Sequence, residues 1–320
     1  MILNLKNIIV DFMINWKKTP HPIIALAPMA DFTDKPFSLM CKKFDAQVIF
    51  REMVSADAIV HSNLKTLKMI AVHKKERPVI QQIFGHDPQT MARAAEIIYK
   101  LVEPDGIDIN MGCPAPKLIK NFHGCALMKE PDRIIAIIKA VKTAVPCPVS
   151  VKTRLGWSKP DEILKIAPII EQAGADLISL HGRTKTQGYA GIADWEMIGR
   201  VKKIISSPLL ANGSIFEVAD IEKCLDITKA DGVLIARGAL GNPWIFHGID
   251  KSTLSVDQIK KTILEHAELQ AKNYGDYGLV LFRKHLMFYL KGLAQTKELK
   301  TKLTQIENLD QLKKILLAWH

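Results

Sequence analysis

The sequence predicts a (β/α)₈ barrel followed by a small C-terminal helical domain. Eight short apolar runs recur along the chain, helix-like segments separate them, and the pattern stops after Trp244. Each run is continuously apolar rather than alternating, which indicates strands buried on both faces, as in a parallel sheet. Eight such units within about 225 residues favour a closed barrel over an open doubly wound sheet.

The predicted strands follow one another through the first 250 residues. They occupy residues 23–27, 47–50, 79–83, 106–110, 148–152, 177–181, 209–211 and 232–236. Helix starts stand between them, for example at Asp87-Pro88 and at Pro131, because proline is favoured in the first turn of a helix. The alternation of strand and helix is that expected of a barrel.

The C-terminal part has a different pattern. Residues 255–258 (SVDQ) form a capping box, in which a serine and a glutamine bond the free backbone N–H groups that open a helix. Residues 309–316 carry leucines and isoleucine at helical spacing and predict a final amphipathic helix. We therefore divide the chain into a barrel domain, 1–248, and a helical domain, 249–320.

The charge of the chain indicates a polyanionic partner. The formal net charge is +11, and residues 251–320 hold 12 Lys and Arg against 7 Asp and Glu. Basic proteins without nucleic-acid ligands are common, so the charge alone leaves the partner open.

Other features favour a cytoplasmic protein. No stretch approaches the roughly 18 apolar residues of a membrane span, and Asp11 interrupts the N-terminal segment where a secretory leader would be apolar. The five cysteines are scattered and never form a C-x-x-C pair, so neither a disulfide framework nor a metal site is expected.

The segment 110–114 (NMGCP) places a thiol directly after the fourth predicted strand. In a barrel of this class, functional groups lie on the loops after the carboxyl ends of the strands. Cys113 is therefore a candidate reactive group, although a lone cysteine can equally be a small buried hydrophobe.

The last two strands are followed by candidate phosphate-binding loops. Asn212-Gly213-Ser214 follows the seventh strand, and we interpret residues 214–217 (SIFE) as a capping box opening a helix whose free N–H groups face a phosphate. Arg237 follows the eighth strand and could give paired hydrogen bonds to the same group. The alternative interpretation is that both loops are ordinary turns and that Arg237 is a surface residue without a ligand.

A family resemblance joins these features. The sequence resembles the tRNA-dihydrouridine synthases, particularly the bacterial B-type enzymes, over residues 23–246, with a weaker similarity at 283–292. The motifs that carry the resemblance are Ala27-Pro28-Met29-Ala30, Gln82-Ile83-Phe84-Gly85, residues 108–114, Val151-Lys152-Thr153-Arg154, His181-Gly182-Arg183-Thr184, Asn212-Gly213 and Arg237-Gly238.

The resemblance implies an FMN-dependent enzyme in which NADPH, or NADH, reduces the flavin and the flavin reduces the C5=C6 bond of uridines in tRNA. It implies that Cys113 donates the proton to C5; an ordinary thiol is mostly protonated at neutral pH, as this role requires. The implied FMN contacts are Pro28, Met29, Ala30, Gln82, Lys152, His181, Asn212, Gly213, Ser214, Ala236 and Arg237. The implied tRNA contacts are Asn110, Arg183, Arg283, Lys284 and Lys291.

The sequence departs from the family pattern at a few positions. Ser214 stands where an aspartate is usual, Ala236 replaces a glycine, and residues 123–125 (HGC) replace a glycine-rich triplet. Cys125 thus occupies a serine-like position, and we do not assign it a catalytic role.

Two other functions stay open at this point. One is an FMN barrel that reduces a small enone or pyrimidine, which would need neither the basic tail nor the high charge. The other is a flavin-containing RNA-binding regulator without turnover, which gives no reason for Cys113, Lys152 and His181 to occur together. We expect a monomer that binds tRNA and NADPH, without a metal ion and without a membrane.

Overall fold

Eight parallel strands close into a barrel, in which β1 pairs with both β2 and β8. The computed structural model describes residues 14–275, 277–293 and 296–319. The strands are β1 (Ile23–Leu26), β2 (Val48–Ser55), β3 (Val79–Phe84), β4 (Gly106–Met111), β5 (Val149–Arg154), β6 (Leu177–His181), β7 (Leu209–Asn212) and β8 (Gly232–Ile235). The predicted barrel is confirmed, and closure excludes the open doubly wound sheet.

Strand β2 is longer than the predicted run 47–50. It continues to Ser55 through Arg51, with a shift in its register against β3 between Arg51 and Val54. The Arg51 guanidinium is buried and lies 2.7 Å from the Glu76 carboxylate. A charge buried with its partner can lie inside a strand, but it interrupts the apolar run by which the strand was recognised.

Helices surround the barrel in the alternation that the sequence predicts. Asp87 caps α4 and Pro131 begins α6, as expected. The helices up to β8 are α1 (Lys35–Lys43), α2 (Ala56–Val60), α3 (Leu64–Met69), α4 (Pro88–Val102), α5 (Pro116–Lys120), α6 (Pro131–Ala144), α7 (Ile163–Gln172), α8 (Trp195–Lys202) and α9 (Val218–Thr228).

The interior of the barrel is apolar at one end. Trp16, which precedes β1, stacks on Phe50 with ring centres 6.0 Å apart, and both belong to a buried cluster that includes Ile23 and Leu177. These side chains fill the barrel interior at the amino-terminal end of the strands with apolar groups. Residues 1–13, part of the segment considered as a leader, lie outside the described residues.

The C-terminal helices form a second hydrophobic core. They are α10 (Val256–Tyr274), α11 (Tyr277–Tyr289), α12 (Lys297–Leu303) and α13 (Leu309–Leu317). The predicted capping box of Ser255 and Gln258 opens α10. Trp244, which precedes the predicted division at residue 248, packs into this second core, and the division itself stays a prediction. Among the described residues, no helix combines the length and apolarity needed to cross a membrane.

The barrel and the second core meet closely at Gly241, in the segment after β8. Gly241 has φ of 61°, and a Cβ placed on it would lie 2.2 Å from the carbonyl carbon of Phe288 on α11. Only glycine tolerates both the left-handed backbone and this approach. Gly241 therefore fixes how closely the helices lie against the barrel.

We expect Gly241→Ala to destabilise the protein more than Gly248→Ala. Gly248 has a similar φ of 67° but nothing within 4 Å of the added Cβ, so its substitution costs only the left-handed strain, about 1–2 kcal/mol. Overpacking at Gly241 adds roughly 1–3 kcal/mol. Thermal unfolding of both variants measures the difference, and equal losses would contradict the close contact.

Candidate active site

One cavity of about 410 Å³ opens at the carboxyl ends of the strands. Side chains or backbone from the loops after β1, β4, β7 and β8, and from β3, β5 and β6 themselves, line it. The structure thereby brings together every residue that the resemblance implies for FMN: Pro28, Met29, Ala30, Gln82, Lys152, His181, Asn212, Gly213, Ser214, Ala236 and Arg237. Cys113, Asn110 and Arg183 line the same cavity.

A chain of hydrogen bonds orients the wall that carries Cys113. Gln82 donates through Nε2 to the Asp108 carboxylate at 2.6 Å and accepts from Asn110 Nδ2 at 2.8 Å. Asn110 Oδ1 in turn accepts from the backbone N–H groups of Gly112 at 3.2 Å and Cys113 at 3.0 Å. The backbone at Cys113 is thus held by side chains from two neighbouring strands.

Asp108 anchors this chain from inside the barrel. It is fully buried, and Ser150 Oγ donates to its second oxygen at 2.6 Å. Burial raises the pKa of Asp108 to about 6, while the bonds from Ser150 and Gln82 and the nearby Lys152 oppose that rise. The carboxylate accepts from both neighbours, which sets the direction of the Gln82 amide and then of Asn110.

Lys152 is a half-buried cation without a carboxylate partner among the described residues. Its Nζ donates to Asn212 Oδ1 at 3.0 Å, and Asn212 Nδ2 donates to the carbonyl of Leu234 at 2.6 Å. Burial lowers the pKa of Lys152 to about 8, and Arg154 lowers it further, whereas Asp108 acts in the opposite direction. An electron-rich ligand in the cavity would relieve this cost.

His181 is neutral in this environment. Burial lowers its pKa far below the usual range, and the neighbouring cations Lys152 and Arg154 add to the effect. Its Nε2 lies 3.1 Å from Nη1 of Arg183. Because a guanidinium can only donate, Nε2 is the acceptor and the ring proton is on Nδ1.

Arg183 holds two loops together, and its contact with tRNA stays a prediction. Its side chain is only 2% exposed. The guanidinium bonds His181, the carbonyls of Ala190 at 3.1 Å and Gly191 at 2.6 Å, and Ser214 Oγ at 2.9 Å. It holds the segment after β6 against the loop after β7, a role that the sequence could not indicate because the motif does not tell which way the side chain points.

The predicted capping box at residues 214–217 is wrong. Ser214 has φ of 57°, and its Oγ accepts from the backbone N–H of Ala193 at 2.9 Å rather than from the next helix. Helix α9 begins at Val218, with Glu217 as N-cap and Asp220 bonding back to it. The left-handed turn at Ser214 directs its side chain away from α9, toward the segment after β6.

Arg237 is the accessible cation of the cavity. It is exposed, and its guanidinium makes no hydrogen bond or ion pair with the residues that the structure describes. Its guanidinium carbon lies 4.8 Å from the ring centre of Tyr189 and 5.7 Å from that of Phe216. Held between two aromatic rings, Arg237 keeps its donors available for an anion.

Cys113 and Cys125 are neighbours with different surroundings. Cys113 is half-buried and lines the cavity, whereas Cys125 is fully buried and its backbone N–H donates to the Cys113 carbonyl at 3.2 Å. Burial raises the pKa of Cys125 to about 12. Between them Gly124 has φ of 60°, and a Cβ there would lie 2.7 Å from the Cys113 carbonyl oxygen.

Several cavity residues were not identified from the sequence. Tyr189 follows the motif at 181–184 in a polar segment and gave no signal beyond its aromatic character. Phe288 lies on α11, yet it lines the cavity and packs edge-on against Phe32, with ring centres 5.6 Å apart. No local pattern could link Phe288 to the barrel, because its contact depends on how the two cores pack.

The three basic residues predicted on the C-terminal helices have different surroundings. Arg283 Nε donates to the carbonyl of Ile306 at 2.8 Å, within the helical part. Lys284 Nζ donates to the carbonyl of Asp31, in the loop after β1. Lys291 lies exposed beyond the end of α11. Their contact with tRNA stays a prediction.

The position of this cavity narrows the class of protein. Its polar and reactive groups all lie at the carboxyl ends of the barrel strands, where (β/α)₈ enzymes hold their active sites. Within the described residues, no group of three or more His, Cys, Asp or Glu is placed to hold a metal ion. Fold and site together define a (β/α)₈-barrel enzyme.

Comparison with known proteins gives the family. The model of the dihydrouridine synthase (Dus) family matches residues 25–318. The chain is 38% identical over 280 residues to tRNA-dihydrouridine synthase B of Pasteurella multocida, covering 84% of each chain. It is 36% identical over 311 residues to probable tRNA-dihydrouridine synthase 1 of Synechocystis sp., covering 93% of this chain and 86% of the relative. The chain therefore belongs to the dihydrouridine synthase family, and it is an oxidoreductase.

Solved structures show the same fold. Morphinone reductase is similar with a TM-score of 0.54 at 11% identity, over 73% of this chain and 87% of that one. A 2-naphthoyl-CoA reductase complex has the same TM-score at 15% identity, over 69% of this chain, and the match spans 48% of that longer protein. At these identities the likeness concerns the barrel alone.

Thiol-specific alkylation should distinguish Cys113 from the other cysteines. Cys41, Cys125, Cys147 and Cys224 are buried, so in the folded protein iodoacetamide should modify Cys113 first. Peptide mass spectrometry after brief labelling measures each site, and unfolded protein is the control in which all five react. Labelling of Cys125 before Cys113 would contradict the arrangement described here.

Proposed function

We propose that this protein is a tRNA-dihydrouridine synthase that uses FMN and NADPH to reduce the C5=C6 bond of specific uridines in tRNA. The observation that carries the proposal is the single cavity in which Cys113, Lys152, His181 and Arg237 converge, in a chain that belongs to the dihydrouridine synthase family. Relatives named as tRNA-dihydrouridine synthases support the choice of tRNA over a small enone or pyrimidine.

The cavity residues fit a flavin mononucleotide. Lys152 offers a positive charge with no carboxylate partner among the described residues, which suits the electron-rich N1–C2=O edge of an isoalloxazine ring. Arg237 offers free donors at the end of β8, beside the Gly213 backbone, where barrels of this class often hold a phosphate. A single arginine for one phosphate, at the mouth of the cavity, suits a cofactor that carries one phosphate group.

Bound FMN would supply a hydride, received from NADPH, to C6 of the uracil. The chain must then deliver a proton to C5, where negative charge develops. Cys113 is the accessible thiol of the cavity, and the bonds from Asn110 hold its backbone in place. Cys125 is excluded as the donor because its buried thiol does not line the cavity.

Other residues prepare the cavity. Neutral His181 can offer its Nδ1–H as a donor without adding a charge beside Lys152. A uridine must leave its base stack to enter, as for other enzymes that modify bases. In this proposal, helices within residues 249–320 contribute to tRNA binding, with Lys291 as an exposed candidate.

The purified protein should be yellow, and the extracted flavin should be FMN. Arg237→Ala should weaken FMN binding by about 1.5–3 kcal/mol, the range for loss of a charged hydrogen bond. Fluorescence titration of apoprotein measures the affinity. Arg200→Ala, an exposed arginine at the end of α8, is the matched control and should leave affinity unchanged. Extraction of FAD, or equal effects of both substitutions, would contradict the assignment.

Cys113→Ala should separate the two half-reactions. Flavin content and flavin reduction by NADPH should stay near wild type, because the thiol has no part in them. Reoxidation of the reduced flavin by tRNA should slow by about 10²- to 10⁴-fold, the usual effect of losing a general acid.

Stopped-flow absorbance at the flavin band follows each half-reaction. Cys125→Ala is the control, since it removes a neighbouring thiol of the same size that does not reach the cavity. If Cys113→Ala is reoxidised by tRNA at the wild-type rate, or if Cys125→Ala carries the defect, Cys113 is not the proton donor.

A further inference from the structure

A second large cavity lies outside the active site, between α1, the segment 73–75 and α10. It is a groove of about 870 Å³. We call it the lysine groove, because its lining includes Lys35, Lys42, Lys43, Lys74, Lys75 and Lys272. Two acidic residues, Glu265 and Glu268, also line it, so lysines outnumber carboxylates three to one.

Most of these lysines have no partner in the protein. Lys43 pairs with Glu265, and Lys42 Nζ donates to the carbonyl of Gln47 at 3.1 Å. The ammonium groups of four others form no hydrogen bond or ion pair with any part of the chain that the structure describes: Lys35, Lys74, Lys75 and Lys272. Unpaired like charges repel one another, so their collection in one groove has an electrostatic cost that a bound polyanion would remove.

The four lysines with unpaired ammonium groups line the same groove as His73. Burial lowers the pKa of His73, and the charges of the same four lysines lower it further. They come from three separate elements, α1, the segment before β3, and α10. Their convergence is therefore a property of the fold and not of a local run of basic residues.

The groove begins beside the active-site wall. Lys35 is the first residue of α1, directly after the loop whose residues Pro28, Met29 and Ala30 line the active site. Lys42 lies seven residues further, two helical turns or about 10 Å along the same face. On α10, Gln270 bonds Asp34 at 3.1 Å, which places nearby Lys272 at the same end.

We propose that the lysine groove binds the phosphate backbone of the tRNA whose uridine enters the active site. The proposal rests on the proposed function and adds the surface on which the RNA is held. Ammonium groups are compact point charges that suit phosphates rather than base edges, so the groove orients RNA without reading its sequence. The groove is lined from both the barrel and the helical part, by α1 and α10, and α1 begins directly after the loop that lines the active site.

The first experiment compares two charge-matched variants. The groove variant carries Lys35→Gln, Lys74→Gln, Lys75→Gln and Lys272→Gln. The control variant carries Lys139→Gln, Lys165→Gln, Lys203→Gln and Lys223→Gln, four exposed lysines on α6, on α7, after α8 and on α9, none of which lines the groove. Both lose four positive charges, and equal melting temperatures and FMN content establish that both are folded.

The salt dependence of tRNA binding is the main measurement. Loss of four phosphate contacts should reduce the slope of log Kd against log salt by about three units in the groove variant, and should leave the control near wild type. The KM for tRNA should rise at least tenfold, with kcat and the NADPH half-reaction unchanged. Equal slopes in the two variants would overturn the proposal, as would a rise in the KM for NADPH alone, which would assign the groove to the reductant.

A second measurement uses the unmodified protein. An amine-reactive reagent should label Lys74, Lys75 and Lys272 less when tRNA is bound, while Lys139 and Lys223 stay equally reactive. Absence of protection would overturn the proposal. Both binding measurements are independent of turnover: a protein that binds tRNA in the groove but forms no dihydrouridine would refute the proposed function and leave the groove assignment standing.

Discussion

The buried carboxylate of Asp108 determines the arrangement of the active site. It can accept only from donors, so it draws the amide N–H groups of Gln82 inward and turns the Gln82 oxygen toward Asn110. Asn110 then presents its own oxygen to the backbone of Cys113. Reversal of any one amide would place two donors or two acceptors face to face. The orientation of Asp108 is therefore passed on, one side chain at a time, from the interior of the barrel to the backbone of Cys113.

Around this wall the cavity carries an excess of positive charge. Lys152, Arg154, Arg183 and Arg237 all line it, and their combined field contributes to keeping His181 neutral. Arg154 and Arg183 are occupied by backbone carbonyls, such as Gly112 for Arg154 at 2.7 Å. The cations therefore divide into two that hold loops and two, Lys152 and Arg237, that are left for a ligand.

The sequence predicted the barrel well because each strand is buried on both faces and each motif follows a strand. The residues that line the cavity could be predicted for the same reason, because the carboxyl ends of all strands in a closed barrel surround one site. The error at residues 214–217 arose where a side chain could turn either way. The local pattern at Ser214 suits a helix cap, but Ser214 bonds Arg183 across two loops, a pairing that depends on barrel closure.

The full length of strand β2 and the place of Phe288 in the cavity were not predicted, for a different reason. Arg51 looks like a surface residue until its partner Glu76, 25 positions away, is brought beside it. Phe288 lies 53 residues beyond Ile235, the end of the last barrel strand, and only the packing of two hydrophobic cores gives it a place in the cavity. Local sequence patterns carry no information about contacts between residues so far apart in the chain.

The position of Phe288 also bears on how the molecule can be divided. The loop after β1 is held from the helical side, by Lys284 at Asp31 and by Gln270 at Asp34, and its Phe32 packs on Phe288. A barrel separated from its C-terminal helices would lose one side of its own active site along with those restraints. The two parts are consequently not exchangeable modules: a helical part transplanted from another protein would have to reproduce the wall of the cavity that Phe288 forms.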